Sequence, residues 1–223
     1  MIISRGRSYV FVHIPKTGGT AMAQALEARA MKDDILIGDT PKAVRRRARI
    51  KALTGRGRLW KHSTLADIDG VVSAGELAEM FTFTLVRNPW DRVVSYYHWL
   101  REQTFDHPAV HLARALPFDG FVLHDQTRSS LRAQPAAEYM RDAGGVERCS
   151  AYIRLEHFDA DVAPLQAHLG FALELPRANA SPRARDYRGY YSDSLAETVA
   201  QDCAEDIRRF GYCFEAKKCS RES

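Results

Sequence analysis

The sequence predicts an α/β fold, a three-layer sandwich around a mostly parallel sheet with a P-loop-like core. Three observations carry this expectation. Short runs rich in β-branched and aromatic residues (Ser8–Ile14, Phe81–Val86, Ala151–Leu155) are bounded by turn signals. Segments of helical composition alternate with them, the order that builds parallel sheets. The composition is ordinarily globular, 45% apolar and 27% charged over 223 residues. A chain of this length buries enough surface to fold as a single domain, 1–223, without disulfide or metal.

Taken in order, the opening residues MIISRGRSYVFVHIPK read as a first strand rather than a signal peptide, because the apolar stretch is short and lacks a small-residue cleavage site. Ser8–Ile14 breaks at Pro15 and Gly18-Gly19, and Thr20–Met31 continues with strong helix formers. Asp34–Gly38 suits a short strand, and Lys42–Leu53 a helix ended by Gly55 and Gly57. Phe81–Val86 stops at Arg87-Asn88-Pro89, and Pro89 helps start an amphipathic helix over Asp91–Glu102. From His107 to Arg141, Pro108, Pro117 and Pro135 divide helical fragments. A strand at Ala151–Leu155 and a helix at Asp159–Leu169 follow, the helix closed by Gly170. Ala172–Gly189 reads as a loop, and Ser192–Phe210 as a final helix capped by Ser192 or Asp193.

Composition excludes several classes. No apolar run approaches the roughly 18 residues of a membrane span. The four cysteines (Cys149, Cys203, Cys213, Cys219) form no Cys-x-x-Cys pair and have no matching His spacing for zinc. Without an export signal the expectation is a cytoplasmic protein with reduced thiols, a Cys213–Cys219 bridge being the less favoured alternative. Charge is uneven. Pro41–His62 holds nine Lys or Arg and no acid, while the 23 remaining bases against 28 acids leave the rest net −5. This basic segment is either a solvated helix face or a field that draws in an anionic partner. A nucleic-acid surface would interleave aromatics with the bases, and none lies between Pro41 and Arg58, so no nucleic-acid partner is expected.

Strand, then Pro15-Lys16-Thr17-Gly18-Gly19-Thr20, then helix is a phosphate-binding layout. The glycines let backbone N–H groups approach an anion, and the helix N-terminus adds about half a positive charge. Thr17 and Thr20 offer hydroxyls, and Lys16 a mobile cation. The order differs from a Walker A loop, where the Lys follows the last Gly and precedes the Ser or Thr that holds magnesium. Here Lys16 precedes both glycines, which favours a phosphate-rich donor handled without a metal. At the end of the Phe81–Val86 strand, the guanidinium fork of Arg87 suits a phosphate, with Ser95 on the next helix to share it. The alternatives are an ion pair from Arg87 to Asp91 and a packing role for Ser95.

HIPKTGGT after the first strand and LVRNPWDRVVSYY after the second together resemble the carbohydrate-type sulfotransferases, most closely the branch with heparan sulfate 2-O-sulfotransferases and many bacterial members. The resemblance implies 3′-phosphoadenosine-5′-phosphosulfate as donor, its 5′-phosphosulfate held by Lys16, Thr17, Gly18, Gly19 and Thr20. It implies that Arg87 and Ser95 hold the 3′-phosphate. A base is needed for the acceptor hydroxyl. In the resembling family a histidine between the two motifs serves, and the match here is His62, with His98 as second choice. Cations beside His62 lower its pKa and favour the neutral form. His13, which precedes the loop, is expected to be structural. The stretch Asn179-Ala180-Ser181-Pro182-Arg183 matches a family pattern ahead of the last helix, making Ser181 and Arg183 candidate donor-nucleotide contacts.

The function expected is sulfuryl transfer in line to a hydroxyl of a glycan or small polar acceptor, which the basic segment would suit if it is anionic. His62 acts as base, and Lys16 stabilises the departing phosphate. The rival readings are a non-catalytic nucleotide- or anion-binding module and a phosphotransferase, the latter weakened by the missing magnesium ligand.

Overall fold

The computed structural model describes residues 1–176, 184 and 186–215. In chain order the elements are β1 (Ile2–Ser4), β2 (Tyr9–Val12), α1 (Gly19–Ala28), β3 (Ile35–Leu36), α2 (Pro41–Ile50), α3 (Ala74–Glu79) and β4 (Phe81–Val86). Short helices follow: α4 (Pro89–Arg101), α5 (Pro108–Ala115), α6 (Phe118–Leu123), α7 (Asp125–Ala133) and α8 (Ala136–Tyr139). Then come β5 (Ala151–Arg154), α9 (Phe158–Asp161), α10 (Ala163–Leu169), α11 (Asp193–Asp202) and α12 (Ala204–Phe210). These residues fall into two compact units: 1–86 with 136–176, and 87–135 with 184 and 186–215.

The first unit contains the sheet, in the order β3-β1-β2-β4-β5. β2, β4 and β5 are parallel neighbours, whereas β1 runs antiparallel to both β2 and β3. Every strand but β1 therefore points the same way, so the sheet is mixed and mostly parallel, as the sequence predicts for this α/β class. The opening residues form a hairpin rather than one strand. Arg5–Ser8 make its turn, with Ser8 at φ 50° and its N–H donating to the Arg5 carbonyl at 3.2 Å. Tyr9, Val10, Phe11 and Val12 are all buried, the pattern of a strand covered on both faces. One face packs Phe11, Phe83, Leu85 and Ile153 against Met22, Ala23 and Leu26 of α1 and Leu165 of α10.

Helix ends follow local chemistry. Thr40 caps α2 by accepting from the Ala43 N–H, and Ser73 with Glu76 forms a capping box on α3. The helix expected over Asp159–Leu169 is divided at Val162. Pro164 cannot donate an intrahelical bond, so the chain restarts a helix there, and Gly170 closes it at φ 73°.

In the second unit, Asn88 caps α4 by accepting from Trp90 and Asp91 N–H groups, with Pro89 in the first turn. Trp90, buried, donates through Nε1 to the Ala196 carbonyl at 2.9 Å, tying α4 to α11. Buried Asp202 accepts from Arg128 and Arg132 of α7. The expected final helix is two helices, because Cys203 leaves helical geometry at φ −113°, ψ 21°. Cys203 is a free thiol, but Cys213 is disulfide-bonded, which corrects the expectation of reduced thiols there. A compartment argument about thiols carries no information on local geometry. No helix among the described residues is long and apolar enough to cross a membrane.

Candidate active site

β2 and β4 are registered with Val12 opposite Thr84 and end at the same edge of the sheet. The Pro15–Thr20 loop leaves β2 at that edge. It is held from inside: Thr17 is buried, and its hydroxyl donates to the Ile14 carbonyl at 2.9 Å. That hydroxyl therefore shapes the loop, which leaves the loop's backbone to meet an anion. Lys16 adopts φ 65°, a left-handed conformation costing a non-glycine residue on the order of 1 kcal/mol.

Gly18 precedes α1 at φ 86°, with no side-chain cap, and the first turn of α1 has no acidic residue. The first intrahelical bond runs from the Met22 N–H to the Gly18 carbonyl at 3.2 Å. The N–H groups of Gly19, Thr20 and Ala21 precede it, so the uncapped end keeps its partial positive charge. Gly19 is fixed sterically, since a Cβ there would lie 2.0 Å from His13 Cδ2. Backbone N–H groups at an uncapped helix end are the donors a phosphate takes, and Lys16 precedes them in the loop. Among the described residues no group of three or more His, Cys, Asp or Glu is placed to hold a metal ion.

His62 belongs to the same unit. Its Nδ1 lies 2.7 Å from the His13 carbonyl. A carbonyl only accepts, so Nδ1 carries the proton and Nε2 keeps its lone pair. The His62 ring meets His13 edge to face (centroids 4.6 Å, 69°) and Trp60 likewise (5.0 Å, 85°). Burial lowers its pKa to about 4, and the Lys61 cation acts in the same direction with less effect. Desolvation thus outweighs the neighbouring cations, which the sequence places beside His62 and which act with the same sign. The bond to the His13 carbonyl opposes the shift. His13 is itself buried and held well below the ordinary histidine pKa, again chiefly by burial.

The turn carrying His62 is built on buried Ser63. Its Oγ accepts from the Trp60 N–H at 2.9 Å and lies 2.8 Å from the Arg58 carbonyl. Trp60 is 41% exposed beside His62, and the Arg58 guanidinium sits 5.5 Å from its ring centre. Sequence reasoning missed this pair. Trp60, the single aromatic near the basic run, was the available signal.

The basic segment divides in two. Lys42, Arg46 and Arg49 donate to the carbonyls of Glu27, Met31 and Lys32, at and beyond the C-terminal end of α1, where cations complement the helix dipole. Lys61 pairs with Asp39 at 2.6 Å, and Arg56 donates to the Ala143 carbonyl. Arg45, Arg47 and Lys51 are exposed.

Arg87 and Ser95 lie in the second unit. Arg87 donates through Nε and Nη2 to Asp91 Oδ2 (2.9 and 2.6 Å), so the ion pair weighed as its alternative role is present. Ser95 is buried on α4, one helical turn beyond Asp91. His98 packs edge to face on Tyr97 and Tyr190. Ser181 and Arg183 lie outside the described residues.

Comparison with known proteins adds the following. The model of a family described as the Sulfotransferase family matches residues 1–209. No curated protein matches the sequence. Among solved structures, the chain is similar to mouse sulfotransferase SULT7A1 complexed with PAP. The two are 16% identical with a TM-score of 0.47, over 97% of this chain and 90% of that one.

Proposed function

Because the chain belongs to the sulfotransferase family, we propose that it moves a sulfuryl group from 3′-phosphoadenosine-5′-phosphosulfate to a hydroxyl of a saccharide or other polar acceptor. The reading rests on one observation above all. His62 is held in the tautomer that leaves Nε2 unprotonated, and the His13 ring that it touches packs on the first residue of the phosphate loop's helix.

In this scheme the amides of Gly19 and Thr20 and the Lys16 ammonium bind the 5′-phosphosulfate. His62 takes the acceptor proton at Nε2 as the hydroxyl oxygen attacks sulfur in line with the leaving phosphate oxygen. Lys16 meets the charge that grows on that oxygen, an interaction strongest in the transition state. Arg87 and Ser95 hold the 3′-phosphate, for which Arg87 would share its guanidinium between phosphate and Asp91; Ser181 and Arg183 cover the nucleotide. No metal takes part. The exposed indole of Trp60 supports a saccharide acceptor, because a sugar ring can lie on an indole face beside the base. The two motifs favour the branch with heparan sulfate 2-O-sulfotransferases and bacterial members.

The test is transfer from labelled donor to a panel of glycans, lipids and small hydroxyl metabolites, with and without EDTA. Label on any acceptor rejects the binding-module reading. Strictly magnesium-dependent phosphate transfer from ATP, with no sulfate transfer, rejects the proposal.

A further inference from the structure

His13 contributes at three points to the surroundings of the base. Its carbonyl accepts from His62 Nδ1 at 2.7 Å. Its imidazole meets the His62 ring at 4.6 Å between centroids and stacks on Phe11 at 6.0 Å and 18°. Its Cδ2 edge lies against Gly19, where any side chain would collide with it. The residue is only 8% exposed, and its ring fills the space between the donor loop and the base.

We propose that His13 is the positioning residue for His62: its carbonyl selects the tautomer, and its ring, seated against Gly19, keeps water from the inner side of the His62 imidazole. This rests on His62 being the base, but its consequence is measurable without acceptor or donor.

Other groups near His62 do not substitute for the ring. Lys61 is adjacent and paired with Asp39, and the Met1 amino group donates to the carbonyls of Ile37 and Lys61, both at 3.0 Å. Lys16 is the remaining charge acting on His13. Trp60 closes a second side of the His62 ring and is not titratable. Of these, His13 is the buried ring that contacts both the base and the loop. Opening that side of His62 to water would relieve the desolvation that dominates its titration.

The experiment is an NMR titration of the His62 ring protons in the ligand-free protein. In His13→Ala the midpoint rises by about one pH unit or more, a roughly tenfold gain in proton affinity. In His13→Phe, which keeps a ring there, it stays within about half a unit of the native value. His13→Val, which keeps an apolar side chain but loses the ring's reach, moves with the alanine variant and serves if the latter does not fold. A midpoint unchanged in both smaller variants overturns the proposal, as does an equal rise in His13→Phe. Failure of the base assignment would show elsewhere, as near-normal turnover in His62→Ala.

Discussion

Acidification should weaken the fold through His62, by an amount that its surroundings set. The group titrates near 6.5 when unfolded and near 4 when folded. A base with a depressed folded pKa leaves the unfolded chain holding more protons between those values, so stability is full above about pH 6.5 and falls as pH drops toward 4. At pH 5, about 1.5 units below the unfolded midpoint, the loss is about 2 kcal/mol at roughly 1.4 kcal/mol per unit. Buried His13 adds a loss of the same sign. The assay is urea unfolding at pH 7.5 and pH 5 for the native protein and for His62→Gln, which cannot titrate but can still donate to the His13 carbonyl. All other groups are common to both proteins and, apart from His13, whose titration the His62 charge also lowers, cancel in the difference. The midpoint should fall about 1 M further in the native protein, taking a urea slope of about 2 kcal/mol/M. Equal falls in the two proteins would refute the reasoning, because His62 would then carry no buried-neutral cost.

Adenosine 3′,5′-bisphosphate should raise the melting temperature equally with and without EDTA, since binding to the native state stabilises it by mass action; stabilisation by ATP alone, and only with magnesium, counts against the donor site. Lys16→Ala should lower turnover by roughly 10²-fold or more while weakening bisphosphate binding less, whereas Arg87→Ala weakens donor and product together. Indistinguishable kinetics and binding in the two variants would contradict that division. Gly19→Ala should destabilise by about 1–3 kcal/mol and weaken bisphosphate binding, because its Cβ meets the His13 ring; unchanged melting and affinity would show that the loop yields freely. Arg45→Ala with Arg47→Ala should raise the KM for an anionic acceptor, an effect that shrinks with salt, and a salt-independent KM rejects this role.

The β-branched and aromatic run located β4 at Phe81–Val86, a strand buried from Thr82 onward, and a similar short run located β5 within a residue, although only Ile153 of that strand is buried. The β1–β2 hairpin was less legible, since a short turn of Arg, Gly and Ser inside an apolar stretch leaves strand pairing to tertiary contacts. The helix break at Val162 had a signal in Pro164, which the sequence reading ran through, whereas at Cys203 composition on either side is uniformly helical and the decision lies in backbone geometry alone. The strand-to-helix loop over 15–20 was readable from its glycines, but not the reason for Gly19, which is the His13 ring. Likewise, nine bases in one segment gave a net charge, while only the fold separates Lys42, Arg46 and Arg49, which bind carbonyls around the end of α1, from the exposed Arg45 and Arg47.

The account turns on His62 as the base of sulfuryl transfer. The most direct measurement compares single-turnover transfer by the native protein and His62→Ala on an acceptor found in the panel, alongside bisphosphate affinity. The predicted result is a roughly 10²–10⁴-fold slower transfer, with the acidic limb of the pH–rate profile gone and bisphosphate affinity unchanged. Near-normal transfer by His62→Ala would contradict the account.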